Sequence, residues 1–414
     1  MALILFIQSC KSSETFTGYS YDPEGVTDTQ DRDIQEQPKR TIGFLSDGVW
    51  ISNEFEGARA NDVFRVDEFH YIIRIDPEIS PINNSPWYGF RIWSNETRSV
   101  TVELEYTDGR QRYLPKKSFD DGLSWANIDS SNYRVDLETG NGILQLTTEN
   151  DPLWISAQEV FTTRDFRMWK EDLMSLPFIQ SQVIGTSHLG RSINQIKISE
   201  HLDEPLKGVI FIYGRQHPPE IPGFLVGLKF IETLTADTDL AIQFRKYFDV
   251  WAFPLMNPDG ADGGHWRTNA AGVDLNRDWL FFNQPETAAV RNAVLKIQLR
   301  SDRKPFYSID FHSTGRTIFY PISRNIDTFP HLFTYRWAES IQQALPDTEL
   351  LVQPFDVVSP IAKNWSFRTF GIDGVTFEVS DEMSGNMLDE FASKSAETFM
   401  RLMIEEFENY IDSN

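Results

Sequence analysis

The sequence contains a single cysteine and far fewer basic than acidic residues. With only Cys10 available, the chain can form neither an internal disulfide nor a cysteine-based zinc cluster. Lys and Arg number 38 against 61 Asp and Glu, which gives a formal net charge of -23. Binding to phosphate backbones needs a basic surface, so this balance argues against a nucleic acid as a partner. It also disfavours electrostatic attachment to anionic lipid.

The first apolar run of the chain is too short to span a membrane. It covers Ala2 to Ile7 and is followed by Gln8, Ser9 and Cys10. A short hydrophobic segment that ends in a small residue and a cysteine resembles the end of a bacterial lipoprotein signal. We therefore expect an extracytoplasmic protein, periplasmic or on the outer surface of a bacterium, with a membrane tether through lipidated Cys10. An ordinary frayed N-terminus is the alternative interpretation.

Composition divides the chain into three regions. Residues 1–40 combine the signal-like start with a polar stretch that has the composition of a solvated tether. Residues 41–160 contain short alternating or apolar runs separated by turn clusters, which predicts an all-β sandwich domain. Its strand candidates are Phe64–Ile75, Trp87–Ile92, Val100–Tyr106 and Gly142–Thr148.

In residues 161–414, apolar strand patterns alternate with helical patterns. The predicted strands are Val209–Tyr213, Asp249–Pro254, Phe306–Phe311 and Val375–Val379. The predicted helices are Arg164–Leu176, Ile221–Leu234, Glu286–Leu299, Leu332–Ala344 and Ala392–Tyr410. This alternation is typical of an α/β sheet covered by helices on both faces.

A histidine and a glutamate follow the strand Val209–Tyr213 in the motif His217-Pro-Pro-Glu220. The two prolines fix φ and exclude a helix, so both polar side chains lie on a stiff loop at the carboxyl end of a strand. Open α/β sheets build their sites at this end. Catalytic zinc usually has three protein ligands and keeps a fourth position for water. His217 and Glu220 therefore require a third ligand from elsewhere.

His312 is the best candidate for that ligand. Of the six other histidines, it alone directly follows a predicted apolar strand, Phe306–Phe311, so we expect it at the same edge of the sheet. A lone histidine after a strand is usually structural, but the two ligands on the neighbouring loop favour a metal here. We predict one Zn²⁺ per chain, bound by His217, Glu220 and His312. Asp274 could accept the second N–H of a ligand histidine and fix its tautomer.

Two further motifs carry polar groups suited to catalysis. Arg267, Asn276 and Arg277 lie on a predicted loop, and two guanidiniums with an amide beside a metal suit a carboxylate or a developing oxyanion. Taken alone, two arginines in so acidic a chain are better explained as ion-paired. Glu378 lies inside an apolar strand, where a carboxylate is costly without a partner or a task. Beside zinc it could take a proton from water and pass it to a leaving amine, although a partnered structural glutamate fits the pattern as well.

Taken together, these motifs resemble the zinc metallocarboxypeptidase family of the carboxypeptidase A type. They occur in family order from about residue 162 onwards: Ile184–Ile193, His217–Glu220, Asn257–Gly260, Arg267–Arg277, Asp310–His312 and Thr376–Glu378. The preceding region, with Trp87–Ile92 and Leu114–Trp125, is more weakly similar to the N-terminal domain of cytosolic carboxypeptidase-like members. The resemblance implies a mixed eight-stranded sheet between helices and a peptide or protein C-terminus as the substrate.

The resemblance also implies a role for each site residue. His217, Glu220 and His312 would bind zinc, and Glu378 would be the general base and acid. Arg267 would polarise the scissile carbonyl and stabilise the oxyanion. Asn276 and Arg277 would hold the terminal carboxylate of the substrate.

The sequence departs from the family pattern at the cap of the substrate pocket. Family members usually carry a tyrosine upstream of the base glutamate, but none occurs between Val352 and Lys363, and Phe355 and Asp356 lie nearest the expected place. Asn364–Phe367 resembles a family segment that comes just after the residue at the floor of the specificity pocket. This resemblance would place Lys363 at that floor. A cation there would favour an acidic C-terminal side chain, with Arg368 as a second candidate. The alternative is that Lys363 faces solvent.

Three functional interpretations follow from these residues. The main one is a zinc-dependent carboxypeptidase. A zinc amidohydrolase or a cell-wall peptide hydrolase would use a similar His-Glu-His set. A catalytically silent binding lipoprotein is the third, and the intact His217, Glu220, His312 and Glu378 argue against it.

Overall fold

The computed structural model describes residues 27–200 and 206–413. The predicted signal-like segment, with Cys10 and most of the polar tether, lies outside these residues.

The N-terminal part of the described chain is rich in β-strands. Its strands are β1 (Thr41–Phe44), β2 (Val49–Ser52), β3 (Asp62–Asp67), β4 (His70–Ile75), β5 (Gly89–Ser94), β6 (Arg98–Tyr106), β7 (Lys116–Ser118), β8 (Ala126–Asn127), β9 (Tyr133–Val135), β10 (Gly142–Thr148) and β11 (Leu153–Ser156). They form a six-stranded sheet in the order β1-β2-β5-β11-β7-β8 and a five-stranded sheet in the order β3-β4-β6-β10-β9. A short 3₁₀ helix, Ser130–Asn132, precedes β9.

Alternation of apolar and polar residues explains these strands. In β10, Leu144 and Leu146 are buried while Gln145 is exposed, as expected of a strand with one face on a core. Buried side chains from both sheets, including Ile92 and Val102, belong to one hydrophobic cluster. The predicted β-rich character is confirmed. That the region forms a sandwich domain bounded at residues 41 and 160 stays a prediction.

The rest of the chain alternates strands and helices. Its strands are β12 (Ile179–Thr186), β13 (Ser192–Ile198), β14 (Lys207–Gly214), β15 (Phe248–Phe253), β16 (Arg303–Thr314), β17 (Ile318–Pro321), β18 (Leu351–Val352) and β19 (Asp373–Ser380). Its α-helices are α1 (Thr163–Leu173), α2 (Ile221–Thr235), α3 (Asp239–Tyr247), α4 (Pro258–Gly263), α5 (Pro285–Val294), α6 (Phe333–Ala344), α7 (Ala362–Phe370) and α8 (Gly385–Asp412). Leu275–Arg277 and Leu295–Leu299 are 3₁₀ helices.

The strands of this second part form one mixed eight-stranded sheet in the order β12-β13-β15-β14-β16-β19-β17-β18. The central strands β15, β14, β16 and β19 run parallel, whereas β13 and β17 join them antiparallel. The buried, β-branched and aromatic sequence of β14 matches a strand covered on both faces. The predicted α/β fold with a mixed eight-stranded sheet is confirmed.

Helix α2 connects the sheet to the candidate site. Pro222 occupies the first turn of α2, where a backbone N–H would have no partner within the helix, so its absence costs nothing. Most residues of α2 are buried. It packs against β16 and the long helix α8. Along residues 27–200 and 206–413, we find no helix with both the length and the apolar character needed to cross a bilayer.

The main difference from the predicted elements concerns His312. We expected it just after a strand that ends at Phe311, but β16 continues to Thr314, so His312 lies within the strand. It is paired in register with Glu378 on the parallel neighbour β19. The sheet itself therefore brings these two side chains side by side.

Candidate metal centre and substrate cavity

The His217–Glu220 loop is held rigidly at the carboxyl end of β14. Arg215, just before the motif, adopts a positive φ of 49°, which is rare for a residue with a side chain. Its Nε donates to the carbonyl oxygen of Pro218 at 2.8 Å. Together with the two prolines, this bond fixes His217 and Glu220, both of which are buried.

The predicted ligands His217, Glu220 and His312 come together. Each offers one ligand atom, and these atoms all lie within 4.8 Å of one another. The Nδ1 of His217 is 2.9 Å from Oε1 of Glu220, and the Nδ1 of His312 is 2.7 Å from Oε2 of Glu220. Both imidazoles thus direct their Nδ1 atoms towards the carboxylate of Glu220.

A carboxylate outside the ligand group holds each of these histidines. The Nε2 of His217 is 2.8 Å from Oδ1 of Asp274, the residue that the sequence suggested for this task. The Nε2 of His312 is 2.9 Å from Oδ2 of Asp310, a contact that sequence reasoning missed. The signal was available, because Asp310 is an acidic residue inside an apolar strand. Carboxylates in this position fix which nitrogen a histidine offers to a metal.

The donor set fits zinc. Two imidazole nitrogens and one carboxylate are ligands that catalytic zinc sites use. Burial alone would raise the pKa of the Glu220 carboxyl, but the charges of His217 and His312 hold it well below its ordinary value. Glutamate binds a divalent cation in this ionised form.

Arg267, Asn276 and Arg277 all line the cavity in front of this group. Arg267 Nε donates to Oδ2 of Asp274 at 2.7 Å, and its Nη1 is 3.9 Å from Oε1 of Glu220. The same Asp274 therefore contacts both His217 and Arg267. Burial would raise the pKa of Asp274, but the charges of Arg267, His217 and Arg277 lower it well below its ordinary value.

Asn276 and Arg277 lie on the 3₁₀ helix that follows Asp274. The Nδ2 of Asn276 is 3.1 Å from Nε2 of His312, and its Oδ1 accepts the backbone N–H of Ala362 at 3.0 Å. Arg277 is buried, and its Nη1 donates to the carbonyl oxygen of Asn276 at 3.0 Å. The loop thus presents an amide and a guanidinium beside the ligand group.

Glu378 faces the same cavity from β19. Burial, followed by the charge of Glu220, raises the pKa of Glu378 to about 7. Its Oε2 is buried and has no hydrogen-bond partner within the described parts of the chain. This oxygen faces the cavity, where it could accept a proton from a bound water molecule.

The cavity has a volume of about 1040 Å³ and receives side chains from both parts of the chain. The N-terminal part contributes Asn83, Asn84, Arg110 and Arg112. Arg112 also donates to Asp381, which lies just after β19. Sequence reasoning missed these residues because they lie between the predicted strands, in turn regions that were given no role beyond separating the strands. Two arginines beside a turn in so acidic a chain were the available signal.

The segment that lacks the family tyrosine contributes Phe355 to the cavity wall. Phe355 and Tyr320 both line the cavity, and their ring centroids are 5.7 Å apart. Lys363 is fully buried and therefore does not face solvent. It is not a lining residue; its ammonium is 5.9 Å from the ring centroid of Phe355. Lys363 thus lies one side chain behind the cavity wall.

Comparisons with known proteins identify the family and the fold of the chain. A family model described as zinc carboxypeptidase matches residues 169–405. A metallo-carboxypeptidase from Burkholderia cenocepacia superposes with a TM-score of 0.71 and 18% identity, over 87% of this chain and 99% of that one. A metallo-carboxypeptidase from Pseudomonas aeruginosa gives 0.71 and 20% identity, over 86% and 99%. These similarities show a carboxypeptidase-like α/β fold together with the β-rich region that precedes it.

Curated relatives include cytosolic carboxypeptidases. Cytosolic carboxypeptidase 6 of Caenorhabditis elegans is 28% identical over 285 residues, which cover 63% of this chain and 61% of the relative. Cytosolic carboxypeptidase 6 of Homo sapiens is 25% identical over 286 residues, which cover 63% of this chain and 56% of the relative. The matched part of the chain therefore spans a little over half the length of these relatives.

The extracytoplasmic lipoprotein location predicted from the first residues is wrong. The curated relatives are named as cytosolic proteins, which contradicts a periplasmic or outer-surface address. The physical reason is that the pattern was weak. A short apolar run followed by a small residue and a cysteine has little specificity as a secretion signal.

The family follows from the matched sequence and from the zinc-ligand group together. The matched residues make up more than half of the chain and contain His217, Glu220, His312 and Glu378. The chain belongs to the zinc carboxypeptidase family.

Proposed function

We propose that this protein is a zinc-dependent carboxypeptidase that hydrolyses the C-terminal bond of a peptide or protein. The observation that carries the proposal is one cavity that contains the His217–Glu220–His312 group, the two guanidiniums of Arg267 and Arg277, and the Glu378 oxygen that has no hydrogen-bond partner among the described residues. Zinc, when bound, acidifies a water molecule and polarises a carbonyl group.

Each residue of the cavity then has a task in the proposed reaction. Glu378 takes a proton from the attacking water and later passes it to the leaving amine. Arg267 donates to the oxyanion that forms on the scissile carbonyl, since Asp274 holds its Nε and its Nη1 lies beside the ligand group, 3.9 Å from Oε1 of Glu220. Asn276 and Arg277 bind the terminal carboxylate of the substrate, which restricts cleavage to the last residue.

A peptide assay with matched ends tests this proposal. We expect the zinc-loaded protein to release the last residue of a peptide with a free C-terminus. We expect no release from the same peptide with an amidated end, because Arg277 and Asn276 then lack a carboxylate to bind. A chelator should stop the reaction, and added zinc should restore it. The released residues are identified by mass spectrometry.

The same assay separates the alternatives. Equal cleavage of the amidated peptide would contradict a carboxypeptidase. Preferential hydrolysis of N-acyl amino acids or of cell-wall peptides would favour the amidohydrolase or cell-wall interpretation. No turnover of any of these substrates by zinc-loaded protein would favour a binding role. The names of the curated relatives support a cytosolic location, and we propose it for this protein.

We further propose that the enzyme prefers an acidic C-terminal side chain. Support comes from the positive charges around the cavity: Arg110 and Arg112 line it, and Lys363 lies directly behind Phe355. Among residues 27–200 and 206–413, the hydrogen-bond contacts of the Lys363 ammonium are long ones, to the carbonyl oxygens of Pro321 at 3.5 Å and Asp356 at 3.4 Å. An approaching carboxylate would compensate this buried charge better than carbonyl oxygens do.

The preference for acidic ends should weaken at alkaline pH. Burial lowers the pKa of Lys363 to about 8, against the opposing charges of Asp356 and Asp373. Lys363 is therefore a cation below that pH and becomes neutral as the pH rises through it. We expect the ratio of kcat/KM for Glu-ending over Leu-ending peptides to fall about tenfold between pH about 7 and pH about 9.

Two substitutions at one position control this measurement. Lys363→Arg keeps the charge throughout, so its ratio should stay high over the whole range. Lys363→Met has similar length without charge, so its ratio should be low throughout. A ratio for the unmodified protein that does not change with pH, or a Met variant that still prefers glutamate, would contradict the role of Lys363.

A further inference from the structure

A buried carboxylate of the N-terminal part lies beneath the loop that carries Arg267. Glu78 is found between β4 and β5 and has no exposed surface. A buried carboxylate is costly unless its oxygens are fully bonded. Within the part of the chain that the structure describes, the hydrogen bonds to the Glu78 side chain come from one short segment about 190 residues further on.

Four hydrogen bonds connect Glu78 to this segment. The backbone N–H of Trp266 donates to Oε2 at 2.7 Å. The backbone N–H groups of Arg267 and Thr268 donate to Oε1 at 3.0 Å and 2.8 Å, and the Thr268 hydroxyl donates to the same oxygen at 2.8 Å. Three successive N–H groups that converge on one anion form a preorganised concave site.

The charge on Glu78 is maintained by its surroundings. Burial would raise the pKa of Glu78, but the neighbouring His265 and Arg59 and the N–H groups of the segment lower it below its ordinary value. Arg59 is itself buried; its Nε donates to the carbonyl oxygen of Gly264 and its Nη1 to that of Asp76 at 2.8 Å. Glu78 is therefore an ionised acceptor for the whole segment.

Arg267 is consequently held at both ends. Its backbone is fixed by Glu78, and its guanidinium is fixed by Asp274, which also contacts His217. The flanking Trp266 is fully buried and donates through its indole N–H to the carbonyl oxygen of Trp87 at 3.1 Å. The position of the Arg267 side chain thus depends on residues of the β-rich N-terminal part.

We propose that Glu78 is a positioning residue for catalysis, which fixes the backbone of Trp266–Thr268 so that Arg267 meets the developing oxyanion. The β-rich part would then complete the catalytic centre as well as line the cavity. This inference rests on the proposed role of Arg267. Electrostatic stabilisation depends on a donor that is already in place when charge develops, so a loosened Arg267 reduces turnover more than binding.

Glu78→Gln tests the inference. A glutamine can still accept on one oxygen, but its amide nitrogen would face the N–H of Trp266, donor against donor. We expect kcat to fall roughly tenfold with KM changed by less than about twofold and zinc content unchanged. Hydrogen exchange at the amides of residues 266–268 should become faster, and this readout does not require activity.

Asp249→Asn is a matched control for the loss of a buried carboxylate. Asp249 is buried away from the cavity and bonds Lys207 at 3.2 Å and Arg303 at 2.6 Å. Its replacement should lower the melting temperature without changing kcat or KM. A Glu78→Gln variant that behaves in the same way would overturn the proposal and leave a purely structural residue.

Coupling to Arg267 gives a second, sharper test. If Glu78 acts through Arg267, adding Glu78→Gln to Arg267→Ala should lower kcat by less than about twofold more. Additive losses in the double variant would contradict the inference. Should Glu78→Gln not fold, Thr268→Val removes one of the four bonds without changing the charge, and kcat should then fall about threefold; an unchanged kcat would count against the proposal.

The failure of this inference can be distinguished from failure of the proposed function. If the unmodified protein releases C-terminal residues and Glu78→Gln does so at full rate, only the inference fails. If the unmodified protein hydrolyses no peptide, the proposed function fails, and the catalytic role of Glu78 fails with it. Hydrogen exchange at residues 266–268 then reports only whether Glu78 holds the segment.

Discussion

Replacing Glu378 with glutamine should lower kcat by about a thousandfold while zinc remains bound. The amide cannot accept the proton of the attacking water, so the step assigned to Glu378 is lost. The zinc ligands are other residues, His217, Glu220 and His312, and their donor atoms stay in place. The measurements are steady-state kinetics on a peptide with a free C-terminus and metal content by elemental analysis.

The same substitution at Glu382 is a matched control. Glu382 lies just beyond β19 and is exposed, so Glu382→Gln should leave both kcat and zinc content unchanged. Glu220→Gln provides the opposite comparison, since loss of a ligand carboxylate should lower zinc content as well as activity. A Glu378→Gln variant with full turnover would remove Glu378 from the mechanism, and one that lost zinc would assign it to the metal.

Replacing Gly223 with alanine should disturb the metal centre, because helix α2 packs directly against the backbone of the proposed ligand His312. A Cβ at Gly223 would lie 2.0 Å from the backbone carbonyl oxygen of His312, because helix α2 approaches β16 closely there. Backbone cannot move aside as a flexible side chain can, so either α2 or the strand must shift. We expect a loss of about 3 kcal/mol in stability, seen as a lower melting temperature, together with weaker zinc binding.

Gly227→Ala, one turn further along α2, is the matched control. There the new Cβ would meet the ring of Phe311 at 3.0 Å, and a ring can shift by a few tenths of an ångström. Its effect on stability should be much smaller and zinc affinity should be unchanged. Equal effects of the two substitutions would show that the close approach to His312 is not what matters.

Much of the fold and the metal group could be predicted from the sequence because both depend on local patterns. The apolar run that became β14 and the two prolines after it place His217 and Glu220 without reference to the rest of the chain. His312 required only a second apolar strand in the same sheet. Even so, its location inside β16 was not predicted, since strand ends depend on neighbours that a single strand does not reveal.

Contacts between distant parts of the chain could not be predicted. Glu78 and Trp266–Thr268 are separated by almost 190 residues, and no periodicity connects a carboxylate to backbone N–H groups. Arg110 and Arg112 reach the cavity only because the β-rich part is positioned beside the sheet. The burial of Lys363 likewise depends on the packing of Phe355 in front of it.

The register of β16 and β19 limits how this centre can change. His312 and Glu378 are opposed across two parallel strands, so their separation follows from the spacing of the sheet. Insertion or deletion of one residue in either strand would turn its side chain to the opposite face. New substrate preferences can therefore arise through loops such as those carrying Arg110 and Phe355. These loops can lengthen or shorten while the distance between His312 and Glu378 stays the same.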